Sequence, residues 1–161
     1  MNPLRLPSTG WRVLRYLATY SATATRVGFR ATQLRTHTGA DRADLALLAD
    51  LRYITGRLHK TQQNYPISMQ TADNPLLRIH LTKAGKTTAD RLAAPYRALH
   101  HLRAHGPLPL ATLQHDAGVD PDTLTELEAL GHIEITPADH RIALTSLGRR
   151  YAEPYSHQDQ R

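Results

Sequence analysis

The sequence contains no cysteine. That excludes a disulfide framework, a thiolate-bound metal and a cysteine nucleophile. Aromatic residues are also scarce, with one Trp and one Phe, so the core has to be built mainly from leucine. No apolar run approaches the roughly 18 residues of a membrane span. Met1 to Gly10 lacks the apolar stretch of a signal peptide. A cytoplasmic location without a membrane partner is therefore expected. A glycine-rich phosphate loop, a nucleophile elbow and carboxylates paired for acid–base work are all missing. Neither an enzyme nor a bound cofactor is expected.

Lysine is scarce as well: 17 of the 20 cationic residues are Arg. Arginine favours bidentate phosphate contacts, but a GC-rich coding sequence explains the bias more simply. The placement of charge says more than the total of +6. Residues 1–91 carry 14 Lys+Arg against 5 Asp+Glu, a balance of +9, whereas residues 92–161 carry 6 against 9, a balance of −3. Such asymmetry points to a polyanion facing only the first half.

The chain repeats itself. Leu34, Gly39, Leu45, Leu48, Leu51 and Ile54 return after 79 residues as Leu113, Gly118, Leu124, Leu127, Leu130 and Ile133. Leu77 to Lys86 is echoed, 63 residues on, by Arg141 to Arg149. Two similar supersecondary units in tandem are implied, with a boundary expected between residues 93 and 94.

Periodicity and capping residues supply the order of elements. Met1 to Ser8 is expected to be a loose arm. A helix from Thr9 to about Ala22 buries Trp11, Leu14, Leu17 and Ala18. Val27-Gly28-Phe29 is a short extended piece. A short helix from Ala31 to His37 turns at Gly39 into a second helix, capped by Asp41 and running to about Arg52. Tyr53 to Lys60 and Leu76 to Leu81 read as two strands, joined by a long polar tip from Thr61 to Pro75. A helix begins near Lys83, and Pro95 is expected to break or kink it. Tyr96 to His105 opens the second unit. There Leu110 to Ala117, Gly118, and a helix capped by Asp120 and Pro121 follow, then a hairpin around residues 137–140. Thr145 to about Tyr155 forms a last helix, and Ser156 to Arg161 is expected to fray.

Helix, short strand, helix, turn, helix and two-stranded wing is the order of a winged helix-turn-helix. Leu51-Arg52-Tyr53-Ile54 and Leu81-Thr82-Lys83-Ala84-Gly85 resemble the corresponding phrases of MarR- and PadR-like bacterial regulators. In the second unit Leu130-Gly131-His132-Ile133 and Leu144-Thr145-Ser146-Leu147-Gly148 do the same. The resemblance implies a mainly α fold with short β-hairpins (α+β), made of two tandem winged helices. Residues 1–93 would be basic with a long wing, and residues 94–161 acidic with a short one. Two departures stand out. A second winged helix replaces the long dimerisation helices of the MarR-like proteins, and Arg52 stands where glycine is usual.

In this fold the second helix of the motif enters the major groove. Its outward positions in the first unit would be Arg42, Ala43, Ala46 and Leu47, of which Arg42 suits a guanine edge. In the second unit they are Asp122, Thr123, Thr125 and Glu126, with Glu128 nearby, a set that a polyanionic groove repels. Further cations lie along the first two helices as Arg12, Arg15 and Arg26. The candidate DNA contacts are Arg30, Thr32, Gln33 and Arg35 around the short helix, Arg42, and on the wing Arg57, His59, Lys60, Gln62, Gln63, Asn64 and Arg78.

The expectation is a duplex DNA-binding protein, a transcriptional regulator. The second unit is expected to pack, form a homodimer or hold a protein partner. The rival expectations are a protein-interaction module, similar to the accessory subunits of chromosome-condensing complexes, and a plasmid replication or transfer factor. His101 and His105, four apart, have a spacing that can bind zinc on a helix. No carboxylate follows at a zincin-like spacing, so no metal site is assigned.

Overall fold

The computed structural model describes residues 2–20 and 28–152. Arg26, Val27, the expected end of the first helix near Ala22 and the expected C-terminal tail lie outside the described residues. Backbone contacts divide the chain into two compact units, residues 7–89 and residues 90–152, the latter joined by residues 2–6. Each is α+β.

In the first unit, α1 (Ser8–Tyr20) buries Trp11, Val13, Leu14, Tyr16 and Leu17. α2 (Ala31–Thr38) ends at Gly39, which takes φ 77° and donates its N–H to Arg35 O. That left-handed residue is what lets the chain reverse into the next helix. α3 (Arg42–Asp50) starts at Asp41, whose carboxylate accepts the Asp44 N–H at 2.9 Å. Leu34, Leu45 and Leu48 are fully buried. β1 (Ile54–Leu58) and β2 (Leu77–Leu81) pair antiparallel, Ile54 opposite Leu81. Phe29 bridges to Ile79 on the other edge of β2.

The second unit repeats this in register. α4 (Lys83–His105) supplies Leu92, Ala98, Leu99 and Leu102 to its core. β3 (Leu108–Pro109) pairs with β5 (Arg141–Leu144), Leu108 opposite Ile142. Phe29 and Ile79, moved by the two repeat shifts, land on Leu108 and Ile142. α5 (Leu110–Ala117) ends at Gly118, φ 63°. α6 (Pro121–Ala129) is capped by Asp120, which accepts the Thr123 N–H at 2.7 Å. β4 (Ile133–Thr136) pairs with β5, and α7 (Ser146–Tyr151) follows Thr145.

The Thr-x-x-Gly phrase has the same physical use in both copies. Thr82 Oγ1 accepts the Gly85 N–H at 3.0 Å and donates to Arg52 O at 2.7 Å. Thr145 accepts the Gly148 N–H at 3.0 Å and donates to Gly131 O. One hydroxyl thus caps a helix and ties it to the turn before the hairpin. A Cβ at Gly85 or Gly148 would run into the carbonyl of Tyr53 or His132 respectively, so the close approach requires glycine.

Three expectations need correction. The N-terminal arm is not loose: Asn2 caps a 3₁₀ turn at Pro3–Arg5, and Leu4 and Leu6 are buried in the second unit. Of the expected break or kink at Pro95, the break does not occur, because α4 runs through the proline. Proline at 95 removes one backbone bond, and the residue four before it, Arg91, is exposed, so water can serve the freed carbonyl. The segment after β1 is not one projecting tip. The chain turns within His59–Gln62, Gln62 taking φ 56°, and returns along the free edge of β1. There Leu58 N–H meets Gln63 O at 2.9 Å and Tyr65 N–H meets Gly56 O at 3.0 Å. Gly56 permits this approach, since a Cβ there would strike Tyr65 O, Leu77 and Ile67.

Candidate nucleic-acid interface

Of the twelve residues expected to contact DNA, ten are exposed, His59 is half-buried and Arg78 is buried. All of them belong to the first unit. Arg30 is the N-cap residue of α2, and its backbone N–H is satisfied by the Gln33 side chain at 2.9 Å. Thr32 and Arg35 lie on the same short helix, and Arg42 opens α3. Arg57 is the outward residue of β1. Lys60, Gln62, Gln63 and Asn64 form the tight turn and the returning edge, where Asn64 bridges to Arg57. Gln62 is partly engaged in the turn itself, donating from Nε2 to His59 O at 2.8 Å. Arg57 and Lys60 have no carboxylate partner among the described residues.

Arg78 does not belong with these. It is 6% exposed, and its Nη1 donates to Pro75 O at 2.7 Å and Leu77 O at 3.2 Å. The Pro75 carbonyl, just before β2, gives the buried guanidinium a partner within the unit.

The decisive residue that sequence reasoning missed is Asp73. Its carboxylate pairs with Arg35 Nη2 at 3.1 Å and Arg42 Nε at 3.5 Å. Arg42 Nη1 also lies 3.5 Å from Met69 O. Asp73, on the loop between β1 and β2, thereby meets side chains from both α2 and α3. A groove of about 90 Å³ beside it is lined by Arg30, Ala31, Thr32, Ala72, Asp73, Asn74 and Pro75. One signal was available: Asp73 is the sole acidic residue between Asp50 and Asp90.

The outward residues of α3 differ from those of α6. Arg42 and Ala43 are exposed, while Ala46 and Leu47 are half-buried. Leu47 therefore packs at the edge of the unit and does not stand free. On α6, Asp122, Thr125, Glu126 and Glu128 are exposed.

In the second unit His101, His105 and His115 gather near the surface around Asp116. The His101 and His105 rings lie 4.3 Å apart. Asp116 reaches His101 Nε2 at 3.4 Å and His115 Nδ1 at 3.1 Å. Its carboxyl is held below the usual range, first by the hydrogen bond from His115 and then by His101. Among the described residues, no group of three or more His, Asp or Glu is placed to hold a metal ion. None of the described helices is long and apolar enough to cross a membrane. Comparison with protein-family models, with curated proteins and with solved structures finds no match.

Proposed function

We propose that this chain is a duplex DNA-binding protein, in the role of a transcriptional regulator, composed of two tandem winged helix-turn-helix units. The observation that carries the proposal is the exposed set Arg30, Thr32, Arg42, Arg57 and Lys60 on one unit. The equivalent helix of the other unit exposes acids. Helix α3 is the element for the major groove, with Arg42 at its exposed N-terminal end. Arg57, Lys60, Gln63 and Asn64 meet the phosphate backbone, where contacts give affinity and position without sequence.

The second unit has a different task in this proposal. Asp122, Glu126 and Glu128 on α6 keep it off the duplex. It serves as a pseudo-symmetric partner, a homodimer contact or a seat for another protein. The same acidic helix favours a second reading, in which the whole chain is a protein-interaction module.

Gel retardation of a mixed-sequence duplex at low salt separates the two. DNA binding requires a retarded complex with the native chain and a weaker one after Arg57→Ala with Lys60→Ala. Absence of retardation, with recovery of a stoichiometric protein partner, establishes the interaction module instead.

A further inference from the structure

Two arginines from the two helices of the motif converge on one carboxylate. Arg35 comes from α2 and Arg42 from α3, and Asp73 sits between them, one oxygen on each guanidinium. All three side chains are about half exposed, at 47%, 51% and 44%. Two guanidinium groups disposed around two oxygens also suit a phosphodiester, whose two non-bridging oxygens share one negative charge as a carboxylate's do. We propose that Arg35 and Arg42 form an anion cradle for one backbone phosphate of the duplex, and that Asp73 occupies it in the free protein as an internal competitor. The inference rests on the DNA-binding function proposed above.

The surroundings of Asp73 decide how the exchange happens. The loop that carries it is pinned: Ile67 and Ala72 are buried at 7% and 1%. Thr71 Oγ1 donates to Pro66 O at 2.6 Å, and Ser68 N–H donates to Thr71 Oγ1 at 2.9 Å. The backbone therefore stays in place, and only the exposed carboxylate rotates aside. Exposed ion pairs are weak, so release is easy. The displaced charge nevertheless remains within a Debye length of the incoming phosphate and opposes it. Asp73 lowers the affinity for any duplex and so sharpens dependence on the contacts made outside the cradle, those of Arg57 and Lys60 among them.

Replacing Asp73 by Asn removes the charge and leaves the shape. Duplex affinity is measured for the native chain, Asp73→Asn, the Arg35→Gln/Arg42→Gln pair, and the combination, with thermal unfolding confirming the fold of each. The expected result is binding about three- to tenfold tighter for Asp73→Asn at low salt, with a clearly smaller gain, that of the through-space charge alone, in the Arg35→Gln/Arg42→Gln background. If Asp73→Asn binds as the native chain does, or more weakly, the competitor is overturned while the DNA-binding function stands. A gain that is undiminished without the two arginines overturns the cradle. If neither the native chain nor Asp73→Asn binds at low salt, the cradle and the DNA-binding function both fall.

Discussion

Arg52 and Gly131 hold the same place in the two repeats, and both lie in the left-handed region, at φ 64° and 79°. Each follows the second helix of its motif and turns the chain into the hairpin, and each offers its carbonyl to the threonine that caps the next helix. Glycine takes this conformation freely, whereas an L side chain does so at a cost of about 1–2 kcal/mol. The first repeat therefore carries strain that the second does not. Arg52→Gly is expected to stabilise the chain by about 0.5–1 kcal/mol, the relief being partly offset by the greater freedom of glycine when unfolded. Urea unfolding checks this, and a lower midpoint for Arg52→Gly would show that the Arg52 side chain contributes something the backbone argument omits.

Tyr151 and Leu6 join the ends of the second unit. The Tyr151 hydroxyl donates to Leu6 O at 2.7 Å in a buried setting, and burial raises its pKa. Tyr151→Phe is expected to cost about 1 kcal/mol, the usual net worth of such a bond. Removal of residues 1–6 is expected to cost roughly 3–6 kcal/mol, because Leu4 and Leu6 each bury a full side chain. An unchanged melting temperature after that truncation would contradict the packed arm.

Acid should weaken the fold through two histidines. Burial pushes His80 and His132 below the ordinary value of 6.5. Arg57 adds to the effect at His80, and a hydrogen bond with the Leu4 backbone opposes it at His132. The unfolded chain then binds protons that the folded chain refuses. Stability is full above about pH 6.5 and is lost progressively as the pH falls through the depressed folded values. Asp41, Asp116 and Asp120, lowered from 3.8, extend the loss into stronger acid. Unfolding midpoints measured at neutral pH and at about pH 5 test the histidine contribution. Equal midpoints would contradict it.

Much of the skeleton was legible because it is periodic. Leu45, Leu48 and Ile54, with their copies Leu124, Leu127 and Ile133, are all buried. Gly39 and Gly118 both take the left-handed conformation, and Asp41 and Asp120 both cap. These features depend on neighbours three or four residues away, which a sequence displays directly. What escaped depends on partners distant in the chain. Leu4 and Leu6 form no periodic stretch, and the Leu6 carbonyl finds its partner in Tyr151, 145 residues on. Pro95 reads as a helix breaker, yet α4 continues through it and buries Leu92, Leu99 and Leu102 on either side. Arg78, expected at the DNA, is buried with the carbonyl of Pro75 as its partner. Asp73 acquires meaning only from Arg35 and Arg42, more than thirty positions earlier.

We propose that the first unit holds duplex DNA through its exposed cations. The most direct test is the dependence of duplex affinity on salt for the native chain and for Arg57→Ala with Lys60→Ala. Each phosphate neutralised by a cation adds about 0.9 to the steepness of log affinity against log salt. The account predicts measurable binding at low salt and a slope shallower by about 2 in the double variant. No binding at low salt, or an unchanged slope in the double variant, would contradict it.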